Sequence, residues 1–299
     1  MKKVLIIKNS FREQKSIEYK IKRFQEEFRK RGIETVIRKS IEIPLYFENS
    51  SPCWNEASDY AFCIYLEKDE DFSSLVEKMM PVVNSSESLR KCNNKFVTYL
   101  SLTGSGIPMP LTIPSRLCYA EKDYSEEKAR EEIDFIESKL TYPLIAKNDY
   151  GSLGLQVYLI HNREELLKKY SDLKLVPHLY QEFVSTSYGK DYRIFTIGGK
   201  TVAAMERKND HDFRSNIALG GKGFKADPPE EYLAIAEKAS EILGLDYAGV
   251  DVLIGKDNKP LLSEVNSNAF FTEIEAISGV NITGLLVSYL LEKYASRFN

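Results

Sequence analysis

The residues best suited to chemistry lie near the C-terminus, where Gly249-Val-Asp251-Val-Leu and Leu262-Ser-Glu264-Val-Asn266 flank a short polar turn. Alternate side chains of a strand share a face, so Glu264 and Asn266 point the same way and a neighbouring strand can bring Asp251 beside them. Two carboxylates and an amide make a hard-oxygen set, suited to magnesium rather than zinc. Carboxylates among Val, Leu and Ile in paired strands are costly unless they hold a cation, which sets a metal site above a solvated strand face.

Upstream stand Asp212-Phe-Arg214-Ser-Asn216 and Gly220-Gly221-Lys222-Gly223. An arginine can clamp oxygens that gain charge, an asparagine can donate a further hydrogen bond, and glycines let the backbone approach a phosphate closely. Alone, the same residues describe a surface turn. Lys147 closes the apolar run Pro143-Leu-Ile-Ala and precedes Asp149-Tyr-Gly151-Ser152-Leu-Gly154. A lysine before a glycine hairpin suits a flap over phosphates, with the amine reaching them and backbone N–H groups closing above. The spacing lacks the Walker pattern and leads into a strand, which argues against a P-loop. Between the two groups, Gln181-Glu182-Phe183-Val184 can line an adenine slot through backbone groups, and Asp191-Tyr-Arg193 follows with a carboxylate for ribose hydroxyls.

The elements that must position these residues are mixed α and β. Val4 to Ile7 is a short apolar run, and Ile17, Ile21, Phe24 and Phe28 recur at helical spacing until Gly32. Strands are expected at Thr35–Ile37 and Tyr60–Leu66, then a helix ending near Met80, closing a small α/β unit with a parallel sheet. Three prolines within Gly106–Pro114 mark an extended crossing between units. Beyond it come a charged helix from Ser125 to about Leu140, strands Pro143–Lys147 and Gln156–Ile160, and a helix capped by Asn162. Gly198-Gly199 turns a hairpin of Asp191–Ile197 and Thr201–Arg207; helix Glu230–Leu243 and hairpin Tyr247–Ile254/Leu261–Asn266 follow, with a closing helix from about Asn281.

The chain has 299 residues, 43% hydrophobic and 28% charged, which fits a folded protein of two or three units sharing an interface. With 41 basic and 44 acidic residues interspersed, no global field favours nucleic acid or anionic lipid, and neither is expected as a partner. Cys53, Cys63, Cys92 and Cys118 form no CxxC pair and the three histidines are scattered, so neither zinc nor disulfides are expected. The N-terminal apolar run is too short for a signal peptide and no run approaches the roughly 20 residues of a membrane span, so a cytoplasmic protein is expected.

The ordered set Lys95, Lys147 with its glycine loop, Gln181–Val184, Asp191-x-Arg193, Asp212-Phe-Arg-Ser-Asn216, Ala248-Gly-Val-Asp251 and Glu264-Val-Asn266 resembles the ATP-grasp superfamily, and more narrowly its RimK-type α-L-glutamate ligase branch. The likeness covers essentially the whole chain, Asn84-Ser-Ser-Glu and Gly106-Ile-Pro-Met-Pro included. It implies an ATP-grasp fold, α/β with α+β lobes: an N-terminal α/β domain at 1–92, a central subdomain at 93–184 and a C-terminal subdomain with the metal site at 185–299. It also implies Lys95, Lys147, Gly151, Ser152 and Gly154 at the ATP phosphates, Gln181, Glu182, Phe183 and Val184 at adenine, and Asp191 orienting the nucleotide. Arg193 and Arg214 would sit near the transferred phosphoryl and the carboxylate, Asn216 would support the triphosphate or a metal, and Asp251, Glu264 and Asn266 would hold two magnesium ions, manganese being an alternative.

The reaction so implied joins a carboxylate, activated as an acyl phosphate, to an amine on a small molecule, peptide or protein, in a homo-oligomeric enzyme. A small-molecule kinase of the same fold and a non-catalytic ATP-binding regulator are the alternatives. One departure bears on the acceptor. Asn266 is followed by Ser267-Asn268-Ala269-Phe270-Phe271, where protein-glutamylating relatives carry a Ser-Pro-Gly type turn, and the segment is expected to border the acceptor pocket.

Overall fold

A computed structural model describes residues 2–298. The chain opens with β1 (Lys3–Lys8), α1 (Lys15–Lys30) and β2 (Thr35–Lys39). A small hairpin of β3 (Tyr46–Glu48) and β4 (Ser51–Cys53) leads to β5 (Tyr60–Tyr65), α2 (Glu70–Glu77) and β6 (Val82–Val83). The parallel sheet has the order β2-β1-β5-β6, and its central strands carry the buried runs Val4–Ile7 and Tyr60–Tyr65 because helices and loops cover both faces. The periodic apolar residues of α1 do what their spacing predicts: Ile21, Phe24 and Phe28 are buried.

Two short helices, α3 (Ser86–Asn93) and α4 (Lys95–Ser101), then turn the chain, their N-termini capped by Ser85 and Asn94. The proline segment runs extended as expected, and the Pro108 carbonyl accepts from Leu262 N at 2.9 Å. A second sheet, antiparallel in the order β7-β10-β8-β9, is built from β7 (Thr112–Pro114), β8 (Leu144–Asn148), β9 (Val157–Ile160) and β10 (His178–Glu182). Helices α5 (Glu126–Glu137) and α6 (Arg163–Leu173) cover it with Ala129, Ile133, Ile136, Leu166 and Tyr170.

The third sheet carries the charged face. It contains β11 (Lys190–Ile197), β12 (Lys200–Lys208), β13 (Lys222–Lys225), β14 (Tyr247–Ile254) and β15 (Pro260–Asn266) in the antiparallel order β13-β12-β11-β14-β15. Helix α7 (Glu230–Ile242) packs Tyr232, Ile235, Ala236 and Ala239 against Ile194, Val250 and Val252 on one side. The alternate residues Asp191, Arg193, Asp251 and Glu264 therefore lie on the other. Helices α8 (Thr272–Ser278) and α9 (Ile282–Lys293) finish the chain and return to α1. The N-terminal sheet and the C-terminal lobe share one core, in which Phe24 and Phe28 cluster with Phe195, Phe271, Ile274 and Leu286.

Candidate active site

Two β-bulges set the register of the charged face. In the β14–β15 pair Ile254, Leu253 and Val252 face Pro260, Leu261 and Leu262, and the register then shifts so that Asp251 faces Glu264 and Ser263 is left over. In the β11–β12 pair a similar shift beside Phe195 puts Asp191 opposite Arg207. One extra residue in a strand exchanges which side chains face which layer, so the bulges bring these charges to one surface. Gly249 belongs to the same device, because a Cβ there would come within 2.7 Å of Arg193 Nη1 and of the Ala269 side chain.

On that surface Asp251 is buried and accepts from Arg193 through both carboxylate oxygens, the Nη2 contact being 2.8 Å. Arg207 reaches the same carboxylate at 3.0 Å and also forms a two-point pair with Asp191. Asp191 is thus committed to Arg207. Burial raises the Asp251 pKa against the opposing pull of Arg193 and Arg207. Glu264 lies 3.3 Å from Lys95 Nζ. Burial alone would raise its pKa, but Lys95, Lys147, Lys68 and Arg193 hold it down to about 2, so the carboxylate is charged at any working pH. Asn266 donates from its amide nitrogen to the Gly249 carbonyl at 3.4 Å, which leaves its oxygen as an acceptor.

The opposite wall of the cleft comes from the second sheet. Lys147 is buried at the end of β8 with its ammonium over the Tyr99 ring, 5.9 Å from the centroid, and burial together with Lys95 lowers its pKa to about 8. The β8–β9 loop folds over this position. Lys95 donates to the Gly151 carbonyl at 3.2 Å and Arg214 to the Gly154 carbonyl at 2.7 Å, so the loop is held from both sides of the cleft. Arg214 is also locked to Asp212, at 2.9 and 2.7 Å. Gly154 has φ +75, and a Cβ there would meet the Asn216 amide oxygen at 2.6 Å, so only glycine fits the loop at this point.

These walls bound an open cleft lined by Lys95, Lys147, Gly151, Ser152, Gly154, Gln181, Glu182, Phe183, Val184, Asp191, Arg214, Asn216, Asp251 and Glu264. Ile145, Val157, Phe183 and Leu253 contribute apolar lining, and Lys95, Lys147, Arg207 and Arg214 contribute cations. That composition matches a base with a polyphosphate tail. The Gln181 side chain is turned into structure, donating to Tyr99 Oη at 2.5 Å and Thr112 Oγ1 at 2.8 Å. Of the residues singled out from sequence, Arg193 and Asn266 lie outside the lining; Arg193 adjoins it through Asp251, and Asn266 stands two residues beyond Glu264 on β15.

Two expectations are corrected. Gly220, Gly221, Lys222 and Gly223 do not line the cleft: they form a turn behind Asn216 and the edge strand β13, which pairs with β12. Phe271, expected beside the acceptor, is fully buried in the shared core, edge-on to Phe24 at 6.0 Å and to Phe195 at 6.1 Å. Its segment is gripped by the N-terminal unit instead. Lys20 of α1, itself fully buried, donates to Asn268 at 2.6 Å, Ala269 O at 3.1 Å and Tyr247 Oη at 3.2 Å, while Asn84 donates to Ser267 O. Among the described residues no three His, Cys, Asp or Glu side chains form a metal cluster, and the candidate set of Asp251, Glu264 and Asn266 mixes two carboxylates with an amide. Sequence reasoning missed Arg207 and Lys68.

The RimK-like ATP-grasp domain family matches residues 94–290. The chain belongs to that family. Among curated relatives, human N-acetylaspartylglutamate synthase A is 32% identical over 241 residues, 78% of this chain and 58% of the relative. A probable alpha-L-glutamate ligase of Legionella pneumophila (strain Corby) is 33% identical over 217 residues, 72% of this chain and 68% of the relative. The chain thus spans less than three fifths of the synthase's length. An ATP-grasp RimK domain protein from Sphaerobacter thermophilus DSM 20745 superposes with a TM-score of 0.69 at 19% identity, covering 96% of this chain and 98% of the other, which establishes the ATP-grasp fold. Within the RimK-like ATP-grasp frame, the cleft between the two antiparallel sheets is the candidate nucleotide site.

Proposed function

We propose that this RimK-like ATP-grasp protein is a ligase that activates a carboxylate with ATP and joins it to an amine. The observation that carries the reading is the bulged sheet face that sets Asp251 and Glu264 side by side in a cleft lined by Lys95, Lys147, Arg207 and Arg214. In this reading Phe183, Val184 and the backbone of Gln181 and Glu182 line the adenine slot. Lys95 and Lys147 take phosphate oxygens, and Gly151, Ser152 and Gly154 cover them. Arg214 and Asn216 reach the cleft from the glycine-loop side, and Asp191 orients the nucleotide site through Arg207.

Asp251, Glu264 and Asn266 fit a hard divalent cation by donor chemistry: charged and amide oxygens on one face of two paired strands. Magnesium bound there neutralises triphosphate charge, and two ions are proposed. The side chains that balance Asp251 would then act as fixed positive charge for the transferred group, Arg207 from the cleft lining and Arg193 from behind Asp251. The carboxylate oxygen attacks the γ-phosphorus and ADP leaves; the amine then attacks the acyl carbon, the C–O bond to phosphate breaks, and the amine's proton is lost as the amide forms. Both relatives named above carry glutamate in their names, which supports an acidic α-amino acid as the amine. Four free cysteines support a reducing, cytoplasmic setting.

The test is a phosphate-release screen with Mg-ATP, pairing carboxylic acids against amino acids, with the product weighed. Release that requires both partners and yields their condensation product supports the ligase. A phosphorylated product formed without any amine supports the kinase alternative instead.

A further inference from the structure

The carboxyl-terminal edge of the N-terminal sheet holds a second group of polar side chains that the nucleotide cleft does not use. The strand order β2-β1-β5-β6 reverses between β1 and β5, and in an open parallel sheet the crevice at such a reversal is where small ligands are received. Asn9 follows β1 and Glu67 follows β5, and Asn9 Nδ2 donates to Glu67 Oε2 across the crevice at 2.6 Å. Ser10 and Ser40 hydroxyls lie 2.8 Å apart, and Ser40 reaches Glu67 Oε1 at 3.5 Å.

Glu67 is only 8% exposed, yet its partners are all neutral. Among the described residues no cation lies within ion-pair distance of it, although a buried carboxylate ordinarily has one. Burial raises its pKa, with Asn9 and Ser40 opposing, as for a carboxylate awaiting a positive partner. Its neighbour Lys68 is the converse: an exposed residue whose ammonium makes no hydrogen bond or ion pair among the described residues. The Lys68 carbonyl accepts from Asn93 Nδ2 at 3.0 Å, immediately before Asn94 caps the helix that begins with Lys95. That backbone contact sets Lys68 beside the segment that carries Lys95. Exposed Phe11 and Ile41 flank the crevice, and the loops that carry them are tied together where Ile41 N donates to Ser10 Oγ at 2.8 Å.

We propose that this crevice receives the amine substrate, an α-amino acid whose ammonium is bound by Glu67 and whose carboxylate is bound by Lys68, with Asn9 and Ser40 fixing the Glu67 carboxylate. Opposite charges on consecutive residues, one buried and one exposed, match the opposite charges of an amino acid zwitterion. The inference rests on the ligase reading, and it is tested by binding rather than turnover.

L-glutamate and the panel of standard amino acids are titrated into the full chain, with and without Mg-AMPPNP, alongside N-acetyl-L-glutamate, which lacks the ammonium. The expected result is that a free amino acid binds and that acetylation weakens it by at least roughly tenfold, the scale of one charge-assisted hydrogen bond. Glu67→Gln abolishes that preference. Lys68→Met, a change at an exposed side chain, weakens free and acetylated ligands alike, and AMPPNP titrates normally into both variants. Equal amino acid binding to the parent chain and Glu67→Gln overturns the inference, as does binding of AMPPNP with no amino acid binding at all. A chain that takes the amino acid but not AMPPNP overturns the nucleotide reading alone.

Discussion

Glu264 and Lys95 face each other at 3.3 Å although one lies within a strand of the C-terminal lobe and the other starts a helix far upstream in the chain. The contact joins the candidate metal ligand to the candidate phosphate ligand. Replacing Glu264 by Gln keeps its size and removes its charge, so turnover should fall by roughly a hundredfold or more, the scale of losing a positioned charge in a closed site. The thermal midpoint should fall, because Lys95 and Lys147 lose the carboxylate that balances them, so turnover is compared well below that midpoint. Retained turnover would remove Glu264 from the chemistry.

Lys147 should carry part of the nucleotide affinity. Lys147→Ala is expected to weaken nucleotide binding by roughly 1.5 to 3 kcal/mol, one charge-assisted contact. The pH dependence has a definite sign. Burial lowers the Lys147 pKa to about 8, so the charged form that holds phosphate is lost as pH rises through that value, and affinity should weaken above it. Calorimetric titration across pH 6.5 to 9.5 checks both statements, and the pH-dependent component should vanish in Lys147→Ala.

Arg207 holds two buried carboxylates at once. Arg207→Met leaves Asp191 and Asp251 facing each other without their shared partner, and breaking a buried ion pair in this way costs about 3–5 kcal/mol. Urea unfolding should show a lower midpoint with an unchanged slope. A loss under about 1 kcal/mol would mean that the pair is not buried in solution.

Lys20 should leave its mark on stability rather than on binding. Burial without a carboxylate partner lowers its pKa from 10.5 to about 7. Between those values the unfolded chain binds the proton and the folded chain does not, so stability rises with pH from about 7 toward 10, at up to ~1.4 kcal/mol per pH unit. Lys147 contributes in the same sense above about 8. In Lys20→Met the slope should shrink, which denaturant unfolding at pH 7 and pH 9 would show.

Much of this architecture can be read from local pattern. The apolar period of α1, the Gly198-Gly199 turn and the strand before Lys147 each follow from residue type and spacing. Most of the glycines and charged side chains that line the cleft stand in the motifs, Arg207 and Lys190 being absent from them, and strand alternation puts Glu264 and Asn266 on one face whatever the tertiary fold. What the pattern cannot supply is register. A regular hairpin about Gly198-Gly199 would set Asp191 opposite Glu206; only the shift beside Phe195 makes Arg207 its partner. Asp251 would likewise face Ser263 without the second bulge. Contacts between distant segments are equally silent. Lys20 and Lys68 have the spacing of ordinary surface lysines, and Phe271 looks free to line a pocket until α1 is packed against it.

The ligase account is tested most directly by following oxygen. With the acid identified in the phosphate-release screen labelled with oxygen-18 in its carboxylate, attack on the γ-phosphate must carry one labelled oxygen into the released inorganic phosphate, with ADP as the other product. Labelled phosphate formed together with the amide is the predicted result. Amide formed with unlabelled phosphate, or with AMP in place of ADP, would contradict an acyl phosphate at this site.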